Sequence, residues 1–312
     1  MRTRFKNILP VFLFFLMLFC PQAVFSGASK GLMLWFEVVL PTLYPFLLLS
    51  GFLLVTGNLE FISSLLGGIC SRLFGVSRNG SFVVLTGFLC GYPMGAKTAA
   101  DLFESGHISR EEGRYLLSFC NNTSPSFILN FLVLQTIGDR TLLLPSFAIL
   151  MAAPVLVSLF TRRLYHFDAT CPPRPPRGGA KARTRGGNWN FQEIDACIMN
   201  SFETLVKVGG YIMLFSVIIS LLQMADTPTW LDCALSLLEV TNGLAMLKAL
   251  HLPLALSYPL MLGLAAFGGL CAAAQTQCMV QKAGFPMTPY LMQKLAAALT
   301  ASLLGILYLL AC

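Results

Sequence analysis

Between Lys6 and Lys30 the chain carries no charged side chain, and no other feature of its sequence limits the possible folds as sharply. The run Ile8–Cys20 is almost wholly apolar, and similar runs recur to the end of the chain. Charged residues make up only 11% of the 312, where a soluble domain carries about 25%. Lipid is therefore the main solvent. In hydrocarbon every backbone polar group must be satisfied within the protein, so only helices and closed barrels cross. Barrel strands read as alternating segments of about ten residues, and these runs do not alternate. The expected fold class is an all-α polytopic membrane protein, with about 8–10 transmembrane helices.

The next constraint is where the apolar runs are broken. Gly87-Phe-Leu-Cys-Gly-Tyr-Pro-Met-Gly-Ala-Lys97 places Gly87, Gly91 and Gly95 four apart, with Pro93 between the last two. Proline removes a backbone donor and clashes with the preceding turn. Glycine costs a helix roughly 1 kcal/mol relative to alanine. A straight span has no need of this composition; a broken or re-entrant one, lining a protected cavity, does. Ala265-Ala-Phe-Gly-Gly-Leu-Cys-Ala-Ala-Ala-Gln275 reads as its echo, and the two are expected to face each other around a small polar solute. A third interruption, Phe119-Cys-Asn-Asn-Thr-Ser-Pro-Ser-Phe127, sets small polar residues and a proline inside an apolar segment. Unpaired buried amides cost a few kcal/mol each, so these must meet partners, water or ligand.

Spans are expected at 31–55, with Pro41 and Pro45 bending it, then at 59–74 as a short or re-entrant piece, and at 80–103. Ser109 and Glu112 form a capping-box pattern that opens the interrupted segment, and a span at 142–160 follows. After residue 190, spans are expected at 202–224, 230–250, 253–280 and 290–312. Residues 1–30 read as an uncleaved first span; a signal-like segment with a weak site at Val24-Phe-Ser26 is the alternative.

Charge sets the orientation. Of the 21 Lys and Arg, Arg2, Arg4 and Lys6 lead the chain, and seven lie between Arg162 and Arg185. Both clusters flank apolar runs, so the positive-inside rule accounts for them without nucleic acid. It places the N-terminus and residues 162–190, a basic proline-rich linker, in the cytoplasm of a multi-pass membrane protein. The linker divides the chain into halves 31–161 and 191–312. Phe36-Glu37 recurs as Phe202-Glu203, and Gly91, Ala96, Thr98 and Gly106 recur at the same spacing as Gly269, Ala274, Thr276 and Gly284. With opposite entry sides, the halves form two inverted repeats, a common plan of secondary transporters.

These readings nominate a site. Gly91, Tyr92, Asn121, Asn122, Ser124, Glu239, Asn242 and Gln275 are the candidate solute ligands. Glu37, Glu203 and Lys97 are candidates for ion or proton coupling, since an ionisable residue in a span is functional by default. Each has a plainer alternative. The two repeat glutamates can sit at interfaces, Lys97 can snorkel beside Asp101, and the amides can serve as glue between helices. The ten cysteines are scattered without CxxC spacing, and three histidines lie far apart, so no metal and no cofactor is expected. No catalytic grouping or phosphate-binding loop stands out, so no enzyme is expected either.

The motifs Trp35…Leu40-Pro41…Pro45-Phe46, Gly91-Tyr-Pro-Met-Gly-Ala-Lys97, Phe119-Cys-Asn-Asn-Thr-Ser-Pro125, Leu238-Glu-Val-Thr-Asn-Gly243 and Phe267-Gly-Gly with Gln275, in this order, resemble the YlbJ-type sporulation integral membrane proteins. Those belong with the nucleoside-recognition, or Gate, domain proteins. The resemblance covers roughly residues 30–310. It implies a bacterial inner-membrane protein of sporulation that handles a small polar or anionic solute. A non-transporting scaffold for spore assembly is the alternative, and a homo-oligomer or a sporulation membrane partner stays open. The resemblance brings no assigned site residues with it.

Overall fold

In the computed structural model the chain is described over residues 2–55, 59–165, 191–224 and 228–311, and every regular element there is helical. Helix α1 covers Arg2–Phe19 and α2 covers Pro21–Leu34. A wide turn, Trp35–Val39, leads on into α3, Leu40–Val55. Helices α4 (Leu59–Phe74), α5 (Arg78–Leu89), α6 (Met94–Glu104) and α7 (Arg110–Phe119) follow, then a widely wound segment Phe127–Ile137 and α8, Leu143–Thr161. Beyond the linker lie α9 (Phe191–Leu222), α10 (Thr229–Leu235), α11 (Val240–Ala249), α12 (Leu254–Phe267), α13 (Gly269–Val280) and α14 (Met287–Ala311). From residue 166 to 190 the basic linker lies outside the described residues.

Among the described residues five stretches are long and apolar enough to cross a membrane: Pro21–Leu53, Arg140–Leu164, Phe191–Leu222, Leu254–Val280 and Met287–Ala311. Their apolar side chains point outward in number, as at Leu159, Leu299 and Leu303, where lipid rather than a core receives them. This is a polytopic all-α membrane protein.

Several boundaries differ from the sequence reading, each for a local reason. The span expected from residue 31 begins at Pro21, because a proline in the first turn of a helix sacrifices no bond. Pro41 cannot donate to the Glu37 carbonyl, and the helix widens over the turn just before it. The span expected from residue 202 begins at Phe191 and forms one 32-residue helix, α9. The stretch expected as one crossing at 230–250 is two short helices, α10 and α11, separated by a turn at 236–239. Ser109 caps α7 by accepting from the Glu112 N–H at 3.1 Å. The Glu112 carboxylate reaches back toward the Ser109 backbone N–H, as the capping box predicts, and its Oε1 also accepts from the Ser77 N–H at 2.6 Å and ties α7 to the start of α5.

Helices α2–α3 lie along α9 in opposite direction. Gly27 packs on Val217, Gly31 on Met213, Trp35 on Gly209, and Gly51 on Cys197. These are the helices that carry Glu37 and Glu203, so the paired motifs do sit on antiparallel partners. The same holds at the other end of each half. Gln293 of α14 donates to Tyr165 just beyond α8, while Tyr258 bridges Ser146 near the start of α8 and Tyr308 near the end of α14.

Within each half the order is the same: a short helical hairpin, an interrupted helix, then a continuous one. In the first half α5 and α6 fold back on each other, close enough that a Cβ at Gly95 would sit 3.1 Å from the Gly87 Cα. The interrupted helix is α7 with Phe127–Ile137, and α8 is continuous. In the second half α10 and α11 fold back, α12 and α13 form the interrupted helix, and α14 is continuous. This revises the internal match. Gly91 and Gly269 both have positive φ, +85° and +81°, yet Gly91 is a hairpin tip and Gly269 interrupts a helix. By position the counterpart of the Gly91 tip is the turn before Glu239.

Candidate functional site

The two hairpin tips and the two helix interruptions converge. At the first tip Gly91 takes its left-handed φ, the Tyr92–Pro93 bond is cis, and the Tyr92 N–H donates to the Asn122 carbonyl at 2.6 Å. A Cβ on Gly91 would lie 2.9 Å from Ser124, so tip and interruption touch backbone to backbone. Gly87 and Gly95 explain themselves in the same way, since a Cβ on either would overlap the Cys120 carbonyl. At the second tip the Leu270 and Cys271 N–H groups donate to the Leu237 and Leu238 carbonyls, both at 2.8 Å. The two assemblies meet where the Tyr92 ring lies against Gly268.

Glu239 is the N-cap of α11, and 3% of it is exposed. Its Oε1 accepts from the Thr241 N–H (3.1 Å) and hydroxyl (2.6 Å). Its Oε2 accepts from the Asn242 N–H (2.8 Å) and side-chain amide (2.9 Å). Four donors and the positive end of a helix offset the desolvation of a buried carboxylate, which is why Glu239 can lie deep in the protein without a basic partner.

Between these elements lies a cavity of about 550 Å³, including its mouth. Thr42, Tyr92, Thr123, Ser124, Glu239, Thr241 and Gln275 supply its polar lining, and residues such as Val39, Phe127 and Ile212 the apolar walls. Among the described residues no Lys, Arg or His lines it. The Tyr92 hydroxyl makes no hydrogen bond among the described residues, and the Gln275 amide donates only to the Cys271 thiol, at 3.3 Å. An apolar chamber with a few convergent polar groups is the usual form of a small-molecule site.

Of the residues nominated from the sequence, Gly91, Tyr92, Ser124, Glu239 and Gln275 line this cavity, and the three asparagines do not. Asn121 donates to the hydroxyls of Thr276 and Tyr290, both at 2.8 Å. Asn122 donates to the Phe119 carbonyl at 2.6 Å, and Asn242 to Ser216 at 2.9 Å. These amides fasten the cavity's frame. The coupling candidates lie elsewhere. Lys97 pairs with Asp101 at 3.1 Å, Glu203 with Lys207 at 2.6 Å on an exposed face, and Glu37 is exposed.

Two features escaped the sequence reading. Thr42 lines the cavity, and Lys294, in the first half of α14, is buried against Asn121. Lys294 carries the same signal as Lys97, an ionisable residue in an apolar span.

The family model described as Gate, nucleoside recognition, matches residues 36–204, more than half of the chain. The chain belongs to the Gate family. The matched region runs from the wide turn before α3 nearly to the middle of α9, so it contains the first hairpin, the first interrupted helix and Thr123–Ser124 of the lining. The Bacillus subtilis protein named sporulation integral membrane protein YlbJ is 28% identical over 316 aligned residues, which cover 90% of this chain and 76% of that one. No solved structure matches the chain. The Gate region supplies one wall of the cavity; Glu239 and Gln275 lie beyond it.

Proposed function

We propose that this Gate-family membrane protein is a carrier for a small polar solute in a bacterial inner membrane, acting in sporulation as the name of its Bacillus subtilis relative suggests. The observation that carries the reading is the convergence of two hairpin tips and two helix interruptions, one pair from each antiparallel half, on a single cavity. Interrupted helices expose backbone groups without a helical partner, and inverted halves offer two equivalent arrangements about one central site. The solute would rest between Tyr92, Thr123, Ser124, Glu239 and Gln275, and residues 31–161 and 191–312 would rock around it. The N-terminus and the basic linker face the cytoplasm by their charge. The solute crosses chemically unchanged.

The lining narrows the solute class. A carboxylate with no lysine, arginine or histidine nearby disfavours an anion, so a neutral or positively charged polar solute fits better than a dicarboxylate. Thermal unfolding of the purified protein across nucleosides, amines and dicarboxylates tests this. A rise in melting temperature with a nucleoside or an amine supports it; a rise with dicarboxylates alone overturns it. Uptake of the binding solute into vesicles then tests carriage, and unchanged uptake by Glu239→Ala removes that residue from the mechanism.

The engagement of Asn121, Asn122 and Asn242 in bonds inside the protein favours a second reading, a non-transporting scaffold of spore assembly. No stabilising solute anywhere in the panel, together with unfolding of Asn121→Ala and Glu239→Ala, decides for it.

A further inference from the structure

Lys294 is 3% exposed and sits on α14, a helix long enough to span the membrane. Its Nζ donates to the Asn121 backbone carbonyl at 3.0 Å, and no ion pair to it forms among the described residues. The surrounding elements supply no counter-charge. On α14 itself its titratable neighbour is Tyr290, one turn earlier, whose hydroxyl meets Asn121 and Thr276. On α7 Cys120 adjoins Asn121, and the buried carboxylate Glu112 is engaged with Ser77 at the other end of that helix. The exposed Glu111, also on α7, pairs with Arg114. Helix α13 faces it with Thr276; α8 and α12 contain no Asp, Glu, Lys, Arg or His, and Tyr258 of α12 is bonded to Ser146. A lysine is a point charge that exchanges its proton, unlike arginine. An ammonium buried in a membrane helix is a functional residue by default.

What surrounds Lys294 is also what holds the cavity. Asn121 joins α7 to α13 and α14, and its Oδ1 accepts from the Ala96 N–H at the start of α6, at 3.4 Å. The next residue, Asn122, accepts from the Tyr92 N–H at the hairpin tip. The geometry points to Lys294 as a proton-binding site, set behind the cavity and linked through Asn121 and Asn122 to the hairpin tip that opens or closes it. This goes beyond the carrier reading and stands without it, because the ligand is the proton.

The test uses the full-length protein in lipid vesicles, with a small neutral maleimide as the probe and the native Cys90, in the cavity lining, as the reporter. Labelling of Cys90 is followed by mass spectrometry from acid to alkaline pH and divided by that of Cys233, to remove the common pH dependence of thiols. In wild type the ratio moves severalfold across the titration. Lys294→Met, permanently neutral, holds the alkaline wild-type value at every pH, and Lys294→Arg, permanently charged, holds the acid value. A Lys294→Met protein with the wild-type profile overturns the proposal, as does a flat wild-type profile. If neither variant folds, Tyr290→Phe leaves Lys294 in place and alters its surroundings. A displaced midpoint then supports the site, and an unmoved one overturns it.

Discussion

The indole N–H of Trp35 donates to the Leu205 carbonyl at 2.9 Å, which ties the wide turn after α2 to the middle of α9. The contact is possible because Gly209 leaves room for the ring; a Cβ there would lie 2.8 Å from it. It fastens the helices that carry Glu37 and Glu203. Trp35→Phe keeps most of the packing and removes the bond. It is expected to cost about 0.6–1 kcal/mol, read as a lower melting temperature in detergent. Gly209→Ala displaces the ring and is expected to cost more.

Asn121→Ala removes both side-chain donors; Thr276 keeps its bond to the Ala272 carbonyl at 2.8 Å, and the Tyr290 hydroxyl is left with the Thr276 hydroxyl at 3.3 Å. The expected loss is about 1–3 kcal/mol. Since Asn121 does not line the cavity, the folded fraction should bind solute with affinity near that of wild type. A selective loss of affinity without loss of stability would place Asn121 in contact with the solute.

Glu239 both caps α11 and faces the cavity, so two substitutions are needed to separate the roles. Glu239→Ala loses the cap, at roughly 1–2 kcal/mol, and the charge with it. Glu239→Gln keeps one acceptor oxygen for the Thr241 group and gives up the charge together with the acceptor for the two Asn242 donors. A cationic solute is expected to bind Glu239→Gln at least about tenfold more weakly, a change of about 1.4 kcal/mol. A neutral solute should distinguish the two far less. Calorimetric titration of each variant checks this.

Gly95 is wedged beside Gly87 and the Cys120 carbonyl. Gly95→Ala must push the first hairpin off the end of α7, with an expected cost of about 3 kcal/mol. Gly210, on α9, has open space around its Cβ position. Gly210→Ala should be neutral or stabilising by up to about 1 kcal/mol. Melting temperatures of the two proteins give the comparison; equal effects would contradict the packing described at Gly95.

The sequence was most legible where composition acts locally. Pro41, Pro93 and Pro125 each fall at or beside a wide turn, a tip or an interruption, because proline fails as a donor whatever surrounds it. It was least legible at the asparagines. Asn121 and Ser124 lie in one polar run, yet one faces Thr276 and the other the cavity, and composition cannot separate them.

By itself the sequence determined the solvent of this protein and the breaks in its helices. Sparse charge forces the backbone into helices within lipid, and glycine or proline inside an apolar run forces an interruption. Tertiary structure decided what each interruption becomes. At Gly91 the chain turns back because α6 can close on α5 against the Cys120 carbonyl, whereas at Gly268 it runs on as α13, held by the Leu237 and Leu238 carbonyls. The partners in both cases lie tens of residues away, and the contacts that select a reversal or a continuation exist only once the two halves have packed.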